Sequence, residues 1–212
     1  MKIDFHVHTN ASSDSLINVA DLAKKSKKLS VIPAITDHNS VSANSKMKSF
    51  NVPFIPGEEI ATERGDLTIL FVNEPIARKT PFAEALDLIR EQGALSYLPH
   101  MFDKTRHGAV PTEKEASKID IVEIFNSRCH SEVYNSRAKT FAQKHKLLSA
   151  VGSDSHFLFE FGTTYTTLPD FDLDSPKQLL KSLKAAKFTT KKAPLYVRGT
   201  TSLVKLKRKL LG

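Results

Sequence analysis

Five of the eight histidines in this 212-residue chain sit in a set of short polar motifs, each of which follows an apolar stretch. The motifs are His6-Val7-His8, Thr36-Asp37-His38, Glu58-Glu59, Pro99-His100 and Ser153-Asp154-Ser155-His156. A mixture of neutral imidazole and carboxylate suits a borderline divalent ion such as Zn, Mn or Fe better than Mg or Ca. His6 and His8 are two residues apart, so on a strand both project to one face and offer half of a tetrahedral shell. Asp154 and His156 repeat that spacing, and Gly152 before them lets backbone approach closely. Asp37 and His38 point to opposite sides of a continuing strand, so one can be a ligand while the other orients it. Of the adjacent pair Glu58 and Glu59, one is expected to face a cation. Each motif has a plainer reading: surface histidines, an Asp-Asn-Ser turn cap, solvated glutamates, a structural His100. Their shared position after successive strands decides for a metal centre and for metal-assisted hydrolysis.

The elements that must position these residues alternate. Strands are expected at Ile3–Val7, Val31–Thr36, Phe54–Pro56, Leu67–Val72, Ala94–Leu98, Ile121–Phe125 and Ser149–Val151, with a turn at Arg64-Gly65. Helices are expected at Asn18–Lys28, with Val19, Leu22, Ala23 and Ser26 on one face, and at Ser42–Ser49, Phe82–Gln92, Thr112–Ser117, Ser131–His145 and Pro176–Ala186. Gly93 suits a helix C-terminus, and Ser175-Pro176 suits an N-terminus. Such alternation implies βαβ units and a largely parallel sheet. Short spacing with candidate ligands after nearly every strand favours a closed or nearly closed barrel, the arrangement that gathers site residues from distant parts of a chain. Residues 1–190 are expected to form this domain, and residues 191–212 a basic C-terminal extension packed on it or trailing from it.

A chain of this length buries roughly 70% of its unfolded surface and needs no disulfide; its single Cys129 could not form one internally. The chain enters a strand-like segment at once, without a secretory pattern, and holds no apolar run of the roughly 20 residues a membrane span requires. A soluble, cytoplasmic protein is the expectation, with oligomeric state left open. The net charge of +8 comes from clusters at Lys24-Lys25, Lys27-Lys28, Lys187, Lys191-Lys192 and Lys205–Lys209, with few aromatics between them. That distribution favours solvated surface over a nucleic-acid groove, although it draws anions electrostatically.

Taken in order, Asp4-Phe5-His6-Val7-His8-Thr9 with Ser13-Asp14, Thr36-Asp37-His38-Asn39, Pro56-Gly57-Glu58-Glu59-Ile60, Pro99-His100, Glu123-Ile124-Phe125-Asn126 and Gly152-Ser153-Asp154-Ser155-His156 resemble the polymerase and histidinol phosphatase (PHP) family. The resemblance covers the chain to about residue 166; Phe161-Gly162-Thr163-Thr164 and the Pro176 helix resemble its compact stand-alone members. It implies an α/β fold, a distorted (β/α)7 barrel, holding two to three divalent ions. By the same resemblance His6, His8, Glu59 and Asp154 would hold the first ion. Glu59 is chosen over Glu58 because the family places its glutamate two residues after the glycine. Glu59 would bridge to a second ion with His100, and Asp14, His38 and His156 would hold a third. The second ion often has a further ligand near Asn126, a poor substitute, for which His130 is an unforced replacement.

The resemblance implies hydrolysis of a small anionic phosphoester, a metabolite or nucleotide, by a metal-activated water. Arg106 and Arg128, on loops after candidate strands, are candidates for the substrate phosphate, with surface arginine the competing reading. A nuclease or oligonucleotide phosphatase is the first alternative, carried by the charge and the basic C-terminus. A non-catalytic metal-stabilised interaction module is the second, and the size of the ligand set argues against it, since a structural site needs only about four donors.

Overall fold

The computed structural model describes residues 1–211, the side chains at positions 198, 202 and 211 excepted. Seven strands form the frame: β1 (Lys2–Val7), β2 (Ile32–Ile35), β3 (Ile55–Ala61), β4 (Asp66–Leu70), β5 (Leu95–Leu98), β6 (Ile121–Asn126) and β7 (Leu148–Gly152). Around them lie α1 (Val19–Leu29), α2 (Ser42–Lys48), α3 (Phe82–Glu91), a short α4 (Glu113–Ala116) and α5 (Glu132–Lys144). Beyond β7 come β8 (Tyr165–Thr167), α6 (Pro176–Leu183), β9 (Lys187–Thr189) and α7 (Tyr196–Leu211). Hydrogen-bonded neighbours run β7-β6-β5-β4-β3-β2-β1-β8-β9.

The sheet curls until its first and seventh strands meet. A parallel bridge joins Val7 to Ser155, with the His8 amide donating to the Ser155 carbonyl at 3.0 Å. Strand β8 pairs with β1 and packs beside β7, so the last two strands flank the seam. The fold is the expected nearly closed α/β barrel of (β/α)7 type. Its interior is filled by Ile3, Phe5, Ala34, Ile55, Tyr97, Ile121 and Ala150, all fully buried. On β3 and β6 these positions share the inward face with site residues, Ile55 with Glu59 and Ile121 with Glu123, as a two-residue period requires.

Two departures from the expected pattern matter. The sheet is not uniformly parallel: β4 runs antiparallel to both β3 and β5. The Arg64-Gly65 turn makes a hairpin with no helix between its strands, and Gly65 at φ 147° occupies a conformation that an L side chain rarely adopts. The third strand also does not stop at Pro56 but continues to Ala61. Gly57 allows this, because a Cβ there would lie 2.9 Å from the carbonyl oxygens of both Ile35 and Ile69. Glu58 and Glu59 are thus consecutive strand residues on opposite faces. Strands β8 and β9 and the first turn of α7 lie where the sequence pattern has no clear period.

Helix α1 buries Val19, Leu22, Ala23 and Ser26, the expected face, and is capped by the Asn18 side chain accepting from the Ala20 amide. Helix α6 starts at Pro176 with Ser175 as its cap, and Gly93 takes φ 67° after α3. Among the described residues no helix is long and apolar enough to cross a membrane.

Barrel closure depends on Gly152: a Cβ there would lie 2.4 Å from both the His6 Cβ and a Glu123 carboxylate oxygen. Gly152→Ala is expected to cost about 1–3 kcal/mol by overpacking. Thermal unfolding should show this as a fall in Tm of several degrees.

Candidate metal centre

Strand ends deliver the motif residues to one mouth of the barrel, where they are buried together. His6, His8, Glu59, His100, Asp154 and His156 are all at most 2% exposed. Their donor atoms are crowded. His6 Nε2 lies 3.0 Å from His8 Nε2, and the same two atoms lie 3.4 and 3.5 Å from the two Glu59 oxygens. Asp154 Oδ1 is 3.3 Å from His8 Nε2 and 3.8 Å from His6 Nε2.

Two further groups share this centre. Glu59 Oε1 accepts from or faces His100 Nε2 at 2.9 Å, and Asp66 joins Glu59 and His100 with ligand atoms within 4.8 Å of one another. On the other side Asp14 places its oxygens 3.5 Å from His38 Nε2 and 3.5 Å from His156 Nε2. His38 Nδ1 lies 2.8 Å from Glu59 Oε2. The rings of His38 and His156 flank His8, with centroids 4.4 and 4.3 Å away.

These residues fit divalent ions on their own chemistry. Glu59 Oε2, Asp154 Oδ1, Asp14 Oδ1 and His100 Nδ1 are buried without a partner in hydrogen-bonding geometry. For Glu59 this holds despite the short approach of His38, which is misaligned for a hydrogen bond. The buried lone pairs of the three carboxylates cost several kcal/mol unless a cation or proton takes them. The electrostatics show the same crowding. Burial opposes protonation of His6, but the Asp154, Glu59 and Glu123 carboxylates hold its pKa well above the imidazole range. Burial, with His156 and His38 beside it, pushes His8 well below that range. Burial and the Glu59 charge push Asp66 up to about 7. Backbone strain is concentrated here as well: His100 at φ 28° and Asp154 at φ 54° are non-glycine residues with left-handed φ, a cost accepted where surrounding structure dictates the conformation.

An outer ring of hydrogen bonds orients the donors. Glu123 Oε1 lies 3.1 Å from His6 Nδ1 and accepts from the Tyr97 hydroxyl at 2.8 Å. Its Oε2 accepts from the His100 amide at 2.6 Å and from Asn126 Nδ2 at 2.9 Å. Burial and the Glu123 charge hold the Tyr97 hydroxyl pKa well above the usual phenol range, so it stays a donor. Asp37 is the orienting member of its pair. It accepts from the Thr9 amide, the Thr9 hydroxyl and the Ser12 hydroxyl, each at 2.6 Å, and so fixes the loop that leads to Asp14. Glu58 faces away from the centre and accepts from the Ile76 amide.

Residues named around the phosphate and second-ion positions fare differently. Arg106 reaches the centre: it is ion-paired to Asp154 and donates to Asn126 Oδ1 at 3.1 Å. Arg128 does not offer its guanidinium to a ligand, because it is buried in a bidentate pair with Glu160 at 2.9 and 2.6 Å. That partner is 32 residues away and invisible to local reading. Asn126 is turned inward between Glu123 and Asp154, to which Nδ2 donates at 2.9 Å. His130 instead faces Thr105, 2.8 Å from its hydroxyl. The residue missed from sequence is Asp66; its only signal is its place at the start of a strand paired with β3. A cleft of about 1190 Å3 opens from the centre, bordered by Arg64, Arg78, Lys79, Arg106 and Lys205 among its cations.

A PHP-associated family model matches residues 132–188. An uncharacterised protein of Methanocaldococcus jannaschii is 42% identical over 195 residues, covering 87% of this chain and 79% of its own. A two-domain protein from Bacteroides vulgatus containing a PHP-like metal-dependent phosphoesterase superposes with TM-score 0.67 at 15% identity. That match covers 89% of this chain and 64% of the Bacteroides chain. Endonuclease Q, solved with an abasic 27-mer duplex, superposes with TM-score 0.58 at 14% identity over 87% of this chain and 56% of its own. The chain belongs to the PHP family.

Glu123→Gln keeps the shape of the orienting side chain but sets an amide NH2 against a donor. Metal affinity, measured by Mn2+ titration calorimetry, is expected to fall about 10–100-fold, with little change in far-UV circular dichroism.

Proposed function

We propose that the chain is a metal-dependent hydrolase of phosphoesters. The observation that carries this is the convergence of three donor groups on the buried Glu59. In this reading His6, His8, Glu59 and Asp154 hold one ion, Glu59, His100 and Asp66 a second, and Asp14, His38 and His156 a third. Asp66 takes the position that Asn126 cannot fill. Divalent ions bound there supply an acidified water and neutralise charge on the phosphoryl oxygens.

The chain's own residues do the rest. Glu59 sets the spacing of the donor groups, since its two oxygens face different imidazoles. Glu123 holds the His6 ring by Nδ1, leaving Nε2 directed at the centre. Arg106 lies in the cleft wall with its guanidinium on Asp154 and Asn126. Its planar fork can turn one edge to a phosphate oxygen while the other stays paired. Burial lowers the local dielectric and strengthens each of these interactions.

A second reading, cleavage of nucleic-acid ends, is favoured by the volume of the cleft and by its basic rim. The fold shared with Endonuclease Q is compatible with it. Both readings use one centre and differ in what fills the cleft.

Chelation should abolish turnover, and Mn2+ or Zn2+ should restore it. Saturating metal at about 100 times its Kd should add about 2.7 kcal/mol of stability. Asp154→Ala and His8→Ala are each expected to lower kcat by about 1000-fold or more, several kcal/mol of barrier, with circular dichroism unchanged. Normal turnover by either variant on a phosphomonoester and phosphodiester panel would refute the site.

A further inference from the structure

Helix α7 carries Val197, Thr201, Val204, Lys205 and Arg208 within about 100° of its circumference, at 3.6 residues per turn. Val197 is fully buried, and Thr201, Val204 and Arg208 are half-buried. Leu203, Leu206 and Leu210 lie on the opposite face and are 65%, 54% and 76% exposed. The face turned to the protein is therefore partly polar and cationic, the reverse of what packing on an ordinary core selects.

That face meets the rim of the metal centre. Arg208 donates through Nη1 to the carbonyls of Asn10 at 3.3 Å and Ser12 at 2.7 Å, and through Nη2 to that of Ser15 at 2.8 Å. The three carbonyls belong to the loop that carries Asp14. The same loop is tied to the centre by the Ser15 hydroxyl, which donates to the carbonyls of His8 and His156 at 3.1 Å each. A planar guanidinium with a fixed fork of donors can satisfy several carbonyls at once, which an ammonium does less well. About one and two turns earlier on the same face, Lys205 and Thr201 border the cleft together with Asp14, His38 and His156. Of the cleft's cations Arg64, Arg106 and Arg128 are each paired with a carboxylate. Lys205, like Arg78 and Lys79, has no carboxylate partner among the described residues, and it alone of these three sits on the helix that Arg208 anchors to the Asp14 loop.

We propose that α7 is a wall of the active site, latched by Arg208, and that Lys205 binds an anionic group of the substrate other than the phosphoryl group being cleaved. The proposal rests on the phosphoesterase reading and deepens it. The substrate class is a phosphoester bearing a second negative charge, on the scale of a nucleotide or a bisphosphorylated metabolite. A lysine suits this role because its compact, mobile charge accepts varied anion geometry.

The test compares the parent chain with Lys205→Ala, Lys205→Arg and Arg208→Ala. Affinity for the 5′-phosphorylated dinucleotide pTpT, for fructose 1,6-bisphosphate and for p-nitrophenyl phosphate is read by calorimetry in chelator, where nothing turns over. KM and kcat are then read with Mn2+. Lys205→Ala is expected to weaken pTpT or the bisphosphate about tenfold in Kd and KM, with kcat within twofold and p-nitrophenyl phosphate unaffected. Lys205→Arg should restore affinity, and Arg208→Ala should reproduce the loss. A deficit confined to pTpT would identify a nucleotide, and one shared with the bisphosphate a simpler anion contact. Unchanged affinity in Lys205→Ala, or an equal loss for p-nitrophenyl phosphate, would overturn the proposal. If none of the three esters is hydrolysed while the calorimetric differences persist, the phosphoesterase reading fails and the anion contact stands.

Discussion

Everything at the mouth of this barrel is organised around one buried carboxylate. Glu59 is 1% exposed and faces four imidazoles, those of His6, His8, His38 and His100. An ionised carboxylate in such a place is tolerated only when its charge is matched and its lone pairs are taken up. The surrounding imidazoles, with the other nitrogen of His6 and of His8 already engaged by Glu123 and Ser12, leave donor atoms directed at shared space. Carboxylate and imidazoles together therefore make a cavity whose natural occupant is positive. The alternation along β3 follows from this requirement, because Glu59 must turn inward while Glu58 turns away to cap the Ile76 amide.

Such a centre holds its shape through polar contacts one layer out. Glu123, Asp37, Asp4 and Asn126 are each at most 1% exposed. Asp4 accepts from the Ser153 amide at 2.9 Å and faces the His6 amide, while burial pushes its carboxyl up to about 7. These groups link β1, β6 and the segment after β7, so that a small displacement of one strand would misalign ligands from two others. Buried polar networks of this kind are favourable only when nearly complete. The left-handed conformations of His100 and Asp154 are maintained by the same network.

The motif histidines were legible in the sequence because their spacing is local: i, i+2 pairs on a strand and polar residues closing an apolar run. The barrel was legible from the alternation of elements, and the α1 face from its period. What was not legible depends on contacts between distant segments. Arg128 reads as a free cation until Glu160 is brought beside it. Asp66 reads as a turn residue until β4 pairs antiparallel with β3. Spacing alone could not rank Asp37 against His38, because the Thr9 and Ser12 donors that take Asp37 lie 25 or more residues away. The last helix is amphipathic in an inverted sense, with leucines outward, and only the placement of Arg208 on the Asn10–Ser15 carbonyls shows which side faces in.

The seam between β1 and β7 has a consequence for how the molecule forms. His6 and Asp154 are contributed by segments almost 150 residues apart, and they come together only when the sheet has curled far enough for Gly152 to slide against His6. Closing so long a loop is entropically expensive and comes late in folding. The donor set is thus incomplete in any partly folded chain that has not shut this seam. Ions would be captured at the end of folding, acting as a fastener on the finished barrel rather than as a nucleus for it, and metal scarcity would be felt chiefly as faster reopening.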